Sequence, residues 1–388
     1  MTLNHYFADL HIHIGRDQFN KPIKITGSKN LTLPRIIKEA RERKGLDMIG
    51  IIDCHVPSIQ DELKQLIKNK RAFEKEGGGI HFGDLTLILG TEMEIYDINC
   101  NGPIHVLCYF PTLADIEQFT EWLSPFVTNI TLSSQRVYLS AQTFQKGVKA
   151  HNGLFVPAHV FTPFKSLYGK GVNKTLTEVF DPDFIDAIEL GLSADTSMAD
   201  RINELHRFTY LTNSDAHSLK KIAREYQTFR LESNDFTELK LALEEKQGRS
   251  VYANYGMHPR LGKYYQSVCR NCLSQNFDND RCCHCGQAKK IKGVSERIEE
   301  IADPTTVAMQ RPPYYYHVPL DYINGLGKKT YEKLLNHFGT EMYILHYIKE
   351  DDLEKLVGPR ITRQLMMIRA GEANIQMGGG GKYGSLIE

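Results

Sequence analysis

Residues 9–13 read Asp-Leu-His-Ile-His, inside the apolar opening at residues 5–15. In an extended strand the side chains alternate between two faces, so Asp9, His11 and His13 share one face, and Leu10 and Ile12 share the other. Burying a carboxylate and two imidazoles together without partners is costly. A bound metal ion removes that cost, because imidazoles and carboxylates are common metal ligands. On these five residues alone, the exposed face of an edge strand explains the pattern equally well.

Length and composition place the chain among ordinary globular proteins. Its 388 residues allow one large domain and one or two small ones. We read no apolar run of the roughly 18 residues that a membrane span needs and no signal peptide at the start, so we expect a cytoplasmic protein. The formal net charge of zero gives no overall electrostatic sign of a nucleic-acid partner.

Up to about residue 255, strand-like apolar runs alternate with amphipathic helical patterns. After the opening run, they occupy residues 48–54, 85–95, 103–110, 153–159, 185–191 and 209–217. This alternation predicts an α/β domain with a largely parallel sheet. Seven such runs suit a closed barrel better than an open sheet, and such barrels carry functional groups at the carboxyl ends of their strands.

Histidine, aspartate or glutamate stands at the end of six of these runs. In chain order the residues are His11, His13 and Asp17; Asp53 and His55; Glu92; His105; His159; and Asp215 and His217. One polar strand end has many explanations, whereas six together indicate a shared metal site. Lone histidines outside the series, such as His81, His151 and His206, are interpreted as surface or core residues.

This ordered series resembles the motif series of the polymerase and histidinol phosphatase (PHP) family. The matching motifs are Asp-Leu-His-Ile-His, Asp-Cys-His, Thr-Glu, two lone histidines and Asn-Ser-Asp-Ala-His. The resemblance covers roughly the first 250 residues and implies a distorted (β/α)7 barrel with a trinuclear metal site. The chain departs from the family in two places: Cys54 separates Asp53 from His55, and Asp17 stands where a histidine often completes the third metal site.

Carried over position by position, the resemblance implies three sets of metal ligands. The sets are His11, His13, Glu92 and Asp215; Glu92, His105 and His159; and Asp17, His55 and His217. Glu92 would bridge two metals, Asp9 would orient ligands from behind, and Asp53 is a candidate for either role. The mixed ligands leave Zn²⁺, Mn²⁺ and Fe open, with Mg²⁺ or Mn²⁺ as the candidate catalytic ion. Adjacent cations of this kind hydrolyse phosphoesters, with Glu92 and Asp215 as the catalytic carboxylates.

Five of the eight cysteines crowd into residues 269–285. Four of them form two Cys-x2-Cys pairs with nine residues between the pairs: Cys269, Cys272, Cys282 and Cys285. This spacing is typical of a structural Zn²⁺ site with four thiolates. Cys283 and His284 lie inside the second pair, so a Cys3His variant stays open. A ribbon of this type serves as an adaptor and is not itself catalytic.

Beyond the cysteines, residues 320–338 contain two helical stretches that Gly325 and Gly327 interrupt. Lys328 and Lys329 open the second stretch. A tight glycine turn leaves free amides before a helix, which suits a phosphate oxygen. The pattern resembles the helix-hairpin-helix motif that holds duplex DNA without reading its sequence. An ordinary helical hairpin with a glycine turn is the alternative.

A degenerate second copy of the hairpin pattern follows at residues 356–368. There Pro359 lacks an N–H donor, and Arg360 replaces the second glycine. The glycine-rich ending at residues 378–385 is predicted to be a flexible tail.

A PHP barrel, a four-cysteine ribbon and helix-hairpin-helix elements in this order resemble the endonuclease Q family. We expect the barrel at residues 1–255, the zinc domain at 256–300 and the helical DNA-binding domain with its tail at 301–388. The resemblance implies an endonuclease associated with the nucleoid. It would cut duplex DNA on the 5′ side of deaminated bases (uracil, hypoxanthine and xanthine) and of abasic sites.

Such different bases can share one site, because each deaminated base presents a carbonyl beside a ring N–H. To offer that edge the base must leave the stack. We expect the pocket walls in the loops at residues 161–171 and 191–195. The candidates are Asp195 as the catalytic acceptor, Phe161, Phe164 or Tyr168 for stacking, and Tyr168 and Lys170 as DNA contacts.

Two other functions remain open from the sequence. A small-molecule phosphatase of the histidinol phosphatase type would need only the barrel and leave about 130 residues unexplained. A non-catalytic adaptor that binds lesions would keep the C-terminal segments, but it should have lost metal ligands from the barrel.

Overall fold

The computed structural model describes residues 2–323, 325–371, 375–376 and 385–386. Seven strands form a barrel within the first part of the chain. They are β1 (Asn4–Ile12), β2 (Met48–Ile51), β3 (Leu85–Ile95), β4 (Ile104–Phe110), β5 (Leu154–Pro157), β6 (Ala187–Glu189) and β7 (Thr209–Leu211). Most of the predicted tail, residues 378–384, lies outside the described residues.

The strands join in chain order into a closed ring. β1–β2, β2–β3 and β6–β7 pair in parallel, and β3–β4 and β4–β5 pair antiparallel. Between β5 and β6, the amide of Asp186 donates to the carbonyl of Phe155 at 2.9 Å. The ring closes where the amide of His13 donates to the carbonyl of Ala216 at 3.1 Å and that of Ala216 to His11 at 3.0 Å. The predicted distorted (β/α)7 barrel is confirmed.

Strand β4 corrects the expectation that each functional residue ends a strand. The connection over residues 96–103 is too short for the crossover that a parallel strand needs, so β4 runs back against β3. His105 therefore lies near the start of its strand and pairs with Glu94 near the end of β3. It reaches the same rim as the carboxyl ends of the neighbouring strands.

Strand β1 does not alternate regularly. Its register against β2 shifts between Asp9 and Ile12, and Leu10 and Ile12 pack into different apolar clusters. The cluster around Leu10 fills the barrel interior, because it takes a residue from every barrel strand. Those residues include Leu10, Met48, Ile88, Leu107, Val156, Ala187 and Leu211. Simple alternation predicted that Asp9, His11 and His13 share one continuous face. The shift in register breaks that face, so Asp9 does not share it with the two histidines.

Helices cover the barrel and build the C-terminal part. They are α1 (Leu33–Lys38), α2 (Pro57–Lys68), α3 (Leu113–Leu123), α4 (Ala141–Ala150), α5 (Thr196–Ala199), α6 (Phe236–Leu243), α7 (Val294–Ile301), α8 (Lys328–Phe338), α9 (Glu341–His346), α10 (Glu350–Val357) and α11 (Pro359–Ala370). Shorter turns are the π-helical Glu39–Lys44 and Leu167–Gly171 and the 3-10 Ser124–Phe126, Leu176–Glu178, Pro182–Phe184, Asn203–Arg207, Leu219–Lys221, Pro259–Leu261 and Leu320–Tyr322. None of the described helices is long and apolar enough to span a bilayer.

Further strands extend the barrel sheet and build the small hairpins. Three join the sheet beside β1: β8 (Tyr226–Leu231), β9 (Ser250–Gly256) and β14 (Tyr314–Tyr316). The others are Phe73–Glu74, Ile80–Phe82, Arg136–Val137, β10 (Val268–Cys269), β11 (Phe277–Asp278), β12 (Arg281–Cys282), β13 (Lys290–Ile291), β15 (Ile375–Gln376) and β16 (Ser385–Leu386). Because β14 belongs to the predicted helical domain, that domain contributes a strand to the barrel sheet.

Helices α8–α11, which we term the helical module, dock on the turn that follows α1. Lys44 Nζ lies 2.7 Å from Glu341 Oε1, with both side chains at most 5% exposed. Arg43 donates two hydrogen bonds to the carboxylate of Glu332, at 2.8 and 3.0 Å. Gly45 has φ +79°, and a Cβ there would lie 2.3 Å from Thr340 Oγ1, so both conformation and close approach require glycine. These contacts fix the module against the barrel.

We expect Lys44→Met to destabilise the protein by about 3–5 kcal/mol, because it leaves the Glu341 carboxylate buried without its cation. Urea unfolding measures the loss. Arg41→Met is the matched control: its partner Asp84 is exposed, so the cost should stay within about 1 kcal/mol. Adding Glu341→Gln to Lys44→Met should recover part of the loss. Equal small losses in both single variants would contradict a role for the pair in docking.

Candidate active site

A cavity of about 720 Å³ opens at the rim of the barrel. Its wall includes Glu92, His105, His159, Asp215 and His217. The rim therefore gathers residues from four separate stretches of sequence around one space.

Three overlapping groups of ligand atoms meet at this cavity, and within each group the atoms lie within 4.8 Å of one another. The groups are His11, His13 and Glu92; His13, Asp215 and His217; and Glu92, His105 and His159. Glu92 belongs to two of them.

Glu92 faces the histidines with both carboxylate oxygens. Its Oε1 lies 2.8 Å from His105 Nδ1, 3.5 Å from His159 Nε2 and 3.6 Å from His11 Nε2. Its Oε2 lies 3.5 Å from His13 Nε2. This placement agrees with the bridging position that the motif resemblance implies.

The site fits metal ions. The Nε2 atoms of His11, His13 and His105 are buried and have no hydrogen-bond partner in the described part of the chain. Buried polar atoms are normally satisfied, so three orphaned ring nitrogens that face carboxylates indicate missing ligands. Imidazole and carboxylate together suit divalent transition-metal ions, Mn²⁺ and Zn²⁺ among them.

Glu189 is a supporting residue that the sequence analysis missed. Its Oε1 accepts from His11 Nδ1 at 2.9 Å and from Asn213 Nδ2 at 2.9 Å, and its Oε2 accepts from the amide of His159 at 2.8 Å. A carboxylate on Nδ1 selects the tautomer whose Nε2 lone pair is free for a metal. The available signal was a charged residue at the end of the apolar run 185–191.

A serine pair and a lysine were also missed. Ser133 Oγ lies 3.2 Å from His13 Nδ1, and Ser134 Oγ donates to Glu92 Oε2. Lys24 Nζ lies 3.0 Å from the same Glu92 oxygen. These residues come from loops with no metal-binding pattern, so the sequence contained no signal for them.

The expected third ligand set, Asp17 with His55 and His217, does not assemble. Both ring nitrogens of His55 have other partners: Thr91 Oγ1 lies 2.7 Å from Nδ1, and the carbonyl of Leu132 lies 3.2 Å from Nε2. Asp17 accepts the nearby backbone amides of residues 19 and 21. His217 is grouped with His13 and Asp215 instead.

Asp9 and Asp53 lie behind the ligands. Asp53 Oδ2 lies 3.2 Å from His13 Nδ1 and accepts the amide of Ile14 at 2.7 Å, so it orients His13 as Glu189 orients His11. Asp9 accepts the amides of Ser214 and Ala223 at 3.1 and 2.9 Å. It thereby ties β1 to the loop that carries Asp215.

The charges of the site shift one another's protonation. Burial would lower the pKa of His11, but Glu189 and Asp215 raise it well above its usual range. Burial and the charge of Lys24 lower the pKa of His13. Burial would raise the pKa of Glu92, yet His105 and Lys24 lower it well below its usual range. For His11 and Glu92, the neighbouring charges together therefore outweigh the effect of burial on the pKa.

Backbone strain collects around the cavity. Ser134, His159 and Asp215 have φ of +53°, +32° and +47°, values that residues other than glycine rarely adopt. Strain of this kind persists where the surrounding structure holds it, commonly at functional sites. A Cβ on Gly191 would approach His159 Cβ to 2.8 Å, so this glycine lets the imidazole take its place.

The two predicted pocket loops are only partly at the cavity. Phe164 is 50% exposed and lines it, with its ring 5.6 Å from that of Tyr264. Tyr168 is fully buried, and its hydroxyl donates to Glu204, which corrects its assignment as a DNA contact. Phe161 is also buried, and Lys170 is exposed away from the cavity lining.

Asp195 caps helix α5. Its Oδ1 accepts from Ser197 Oγ at 2.7 Å and from the amide of Met198 at 2.9 Å. Its Oδ2 accepts from Tyr316 OH at 2.9 Å. Both oxygens therefore already have protein donors, and its catalytic role remains a prediction.

The four cysteines of the ribbon converge. The Sγ atoms of Cys269 and Cys285, and those of Cys272 and Cys282, are 3.4 Å apart, and all four lie within one ligand group. Cys283 is exposed and outside the group. The geometry favours four thiolates over the Cys3His variant.

The two glycine turns of the helical module match each other. Gly325 has φ +86° before α8, and Gly358 has φ +79° before α11. Lys328 and Lys329 are exposed on the first turn of α8. A Cβ on Gly325, Gly327 or Gly358 would meet nothing within 4 Å, so these turns are open to a ligand.

The fold and the site define the class of protein. A (β/α)7 barrel that collects histidines and carboxylates at one rim, with a shared glutamate between candidate metal-ligand groups, has the PHP-type architecture.

Comparison with known proteins gives the family, although no family model matches the chain. It is 50% identical over 381 residues to the uncharacterized protein YqxK of Bacillus subtilis (strain 168), covering 98% of each chain. The crystal structure of the lesion-specific endonuclease PfuEndoQ from Pyrococcus furiosus is 31% identical with a TM-score of 0.85, over 99% of this chain and 95% of that one. The crystal structure of endonuclease Q in complex with a 27-mer duplex substrate, with an abasic lesion at the active site, is also 31% identical with a TM-score of 0.85. That match covers 99% of this chain and 96% of the other. This chain belongs to the endonuclease Q family.

We expect Glu189→Gln to weaken metal binding at the barrel site by about 10–100-fold, because the amide no longer fixes the His11 tautomer electrostatically. Metal titration of the metal-free protein measures the affinity. The control is Glu244→Gln, which changes an exposed residue outside the ligand groups. An unchanged affinity in Glu189→Gln would show that His11 is oriented without this carboxylate.

The ribbon gives a separate prediction. Cys272→Ser should release one tightly held metal ion, because a structural site of four thiolates depends on each ligand. Elemental analysis after gel filtration measures metal per chain. Cys283→Ser, at the exposed cysteine beside the site, should leave the metal content unchanged. Loss of metal from both variants would mean that the ligand set includes Cys283.

Proposed function

We propose that this chain is a metal-dependent DNA endonuclease that cuts at damaged positions. The observation that carries the proposal is the placement of Glu92 between two ligand groups at the cavity wall, with Oε1 toward His105 and Oε2 toward His13. Adjacent metal ions, when bound there, would offset the charge of a phosphodiester and lower the pKa of a bound water.

The chain's own residues prepare that site. Glu189 and Asp53 accept from the Nδ1 atoms of His11 and His13, so each Nε2 presents its lone pair to the cluster. Ser134 and Lys24 hold Glu92 in place. Because all of these groups are fixed before substrate arrives, little reorganisation is needed during reaction.

The damaged nucleotide would enter the cavity. We propose uracil, hypoxanthine, xanthine and abasic sites as lesions, with cleavage on their 5′ side after the base flips out of the duplex. The abasic lesion at the active site of the related endonuclease Q complex supports the abasic site among these lesions. Phe164, half exposed at the cavity wall against Tyr264, is placed to fill the gap or to stack on the extruded base.

The helical module would hold the duplex beside the cavity. Gly327 has φ −74° and no neighbour that a Cβ would meet, so the free protein gives no reason for glycine there. Close approach of a DNA backbone to the amides at the start of α8 supplies one. The cations proposed for the chain are Zn²⁺ in the ribbon and Mg²⁺, Mn²⁺ or Zn²⁺ in the barrel, and its proposed location is with the DNA of the cytoplasm.

Asp215→Asn and Glu92→Gln should abolish incision while lesion binding survives, because the amides keep the volume but lose the metal-binding charge. End-labelled duplexes with a single uracil, hypoxanthine, xanthine or abasic site report the cut and its side. Asp61→Asn, exposed on α2, is the matched control and should cut normally. Histidinol phosphate tests the small-molecule alternative. Hydrolysis of that ester without any DNA incision would overturn the proposal.

A further inference from the structure

Lys24 places an ammonium group among the metal-ligand groups. Its Nζ lies 3.0 Å from Glu92 Oε2 and 2.6 Å from Ser134 Oγ. The side chain is only 13% exposed, yet it lines the cavity. Nothing in the motif series assigns this residue a role.

The backbone holds Lys24 in place. Its amide donates to the carbonyl of Ile14 at 3.0 Å, directly after the ligand His13, and its carbonyl accepts from Gly27 at 2.9 Å. The preceding Ile23 is buried and donates its amide to Gly15 at 3.0 Å. The loop after β1 therefore presents the lysine at a fixed position.

The positive charge of Lys24 would repel the metal ions that the ligands would hold, so a nearby anion is needed to offset that repulsion. Glu92 provides one, but it is shared with the ligand groups. An ammonium has three N–H donors, and the described residues that accept from Lys24 are Glu92 and Ser134. One donor is left for a ligand in the cavity.

We propose that Lys24 binds a non-bridging oxygen of the phosphate that is cleaved. This inference rests on the proposed nuclease function. A compact ammonium recognises phosphate as a point charge. Glu92, which holds the Lys24 ammonium, also belongs to the ligand groups. The phosphate oxygen that Lys24 contacts is therefore an oxygen of the reacting phosphate. Lys165, by contrast, is 49% exposed at the rim, where it would meet a neighbouring phosphate.

Binding without chemistry is the first test. In an Asp215→Asn background, which should bind without cutting, the affinity for a duplex with an abasic site is measured from low to moderate salt for the parent background, Lys24→Gln and Lys24→Arg. Loss of one phosphate contact should reduce the slope of log affinity against log salt by about 0.9. Lys24→Gln should show that reduction and Lys24→Arg should not. Lys64→Gln removes a half-exposed lysine of α2 that pairs with Glu117. This control should keep the parent slope.

Incision is the second test. Lys24→Gln should lower the maximal rate about 10²-fold or more, with metal content and unfolding midpoint unchanged, and Lys24→Arg should recover part of the rate. Replacing the contacted non-bridging oxygen of the substrate by sulfur should slow incision by the parent. The same replacement should slow incision by Lys24→Gln less. If the glutamine variant does not fold, the sulfur effect in Lys24→Arg against the parent decides.

An unchanged salt slope together with lost metal would mean that Lys24 only neutralises Glu92, and the inference would be wrong. An unchanged slope with an unchanged rate would overturn it as well. If the parent cuts no lesion duplex but the slope still falls in Lys24→Gln, the phosphate contact stands and the proposed nuclease function fails. If the parent cuts and Lys24→Gln cuts equally well, the inference fails alone.

Discussion

The buried carboxylate of Glu92 is the centre on which the rest of this structure depends. Histidines from three strand ends face it, and Lys24 and Ser134 hold one of its oxygens. Leaving so many ionisable groups together in a dry interior is unfavourable unless each has a partner. The surrounding fold supplies many of those partners. The Nε2 atoms of His11, His13 and His105 have none among the described residues, which suits a bound metal ion.

Barrel closure is what makes this centre possible. His11 and His13 lie at the end of β1, whereas Asp215 and His217 follow β7, about 200 residues later in the chain. The hydrogen bonds between residues 11–13 and Ala216 join the two ends of the ring. Asp9 ties the same seam from behind. The reversed strand β4 brings His105 to the rim, so the barrel's irregularity serves the site.

The parts outside the barrel are held firmly against it. The buried Lys44–Glu341 pair and the bidentate Arg43–Glu332 contact lock the helical module, and β14 joins the barrel sheet. A DNA-binding surface that keeps a constant distance from the cavity can present one phosphodiester to the metal groups without searching. In the proposed DNA complex, sequence-independent contacts at the glycine turns would complement recognition of damage within the cavity.

The sequence by itself determined the barrel class, the ribbon and most of the ligand series, because these depend on local spacing. Alternation of apolar runs predicts the strands, two Cys-x2-Cys pairs predict the thiolate cluster, and polar residues within or just after the runs mark Glu92, His105, His159, Asp215 and His217. Tertiary structure decided what depends on distant groups. The register shift in β1 separated Asp9 from the ligands. Thr91 hydrogen-bonds to His55, and burial keeps Tyr168 from contacting DNA. Glu189 stands at the end of an apolar run, but nothing in that run shows that its carboxylate accepts from His11. Ser134 and Lys24 act only through residues remote in sequence, so no local pattern could reveal them, since hydrogen bonds across a closed barrel are set by packing.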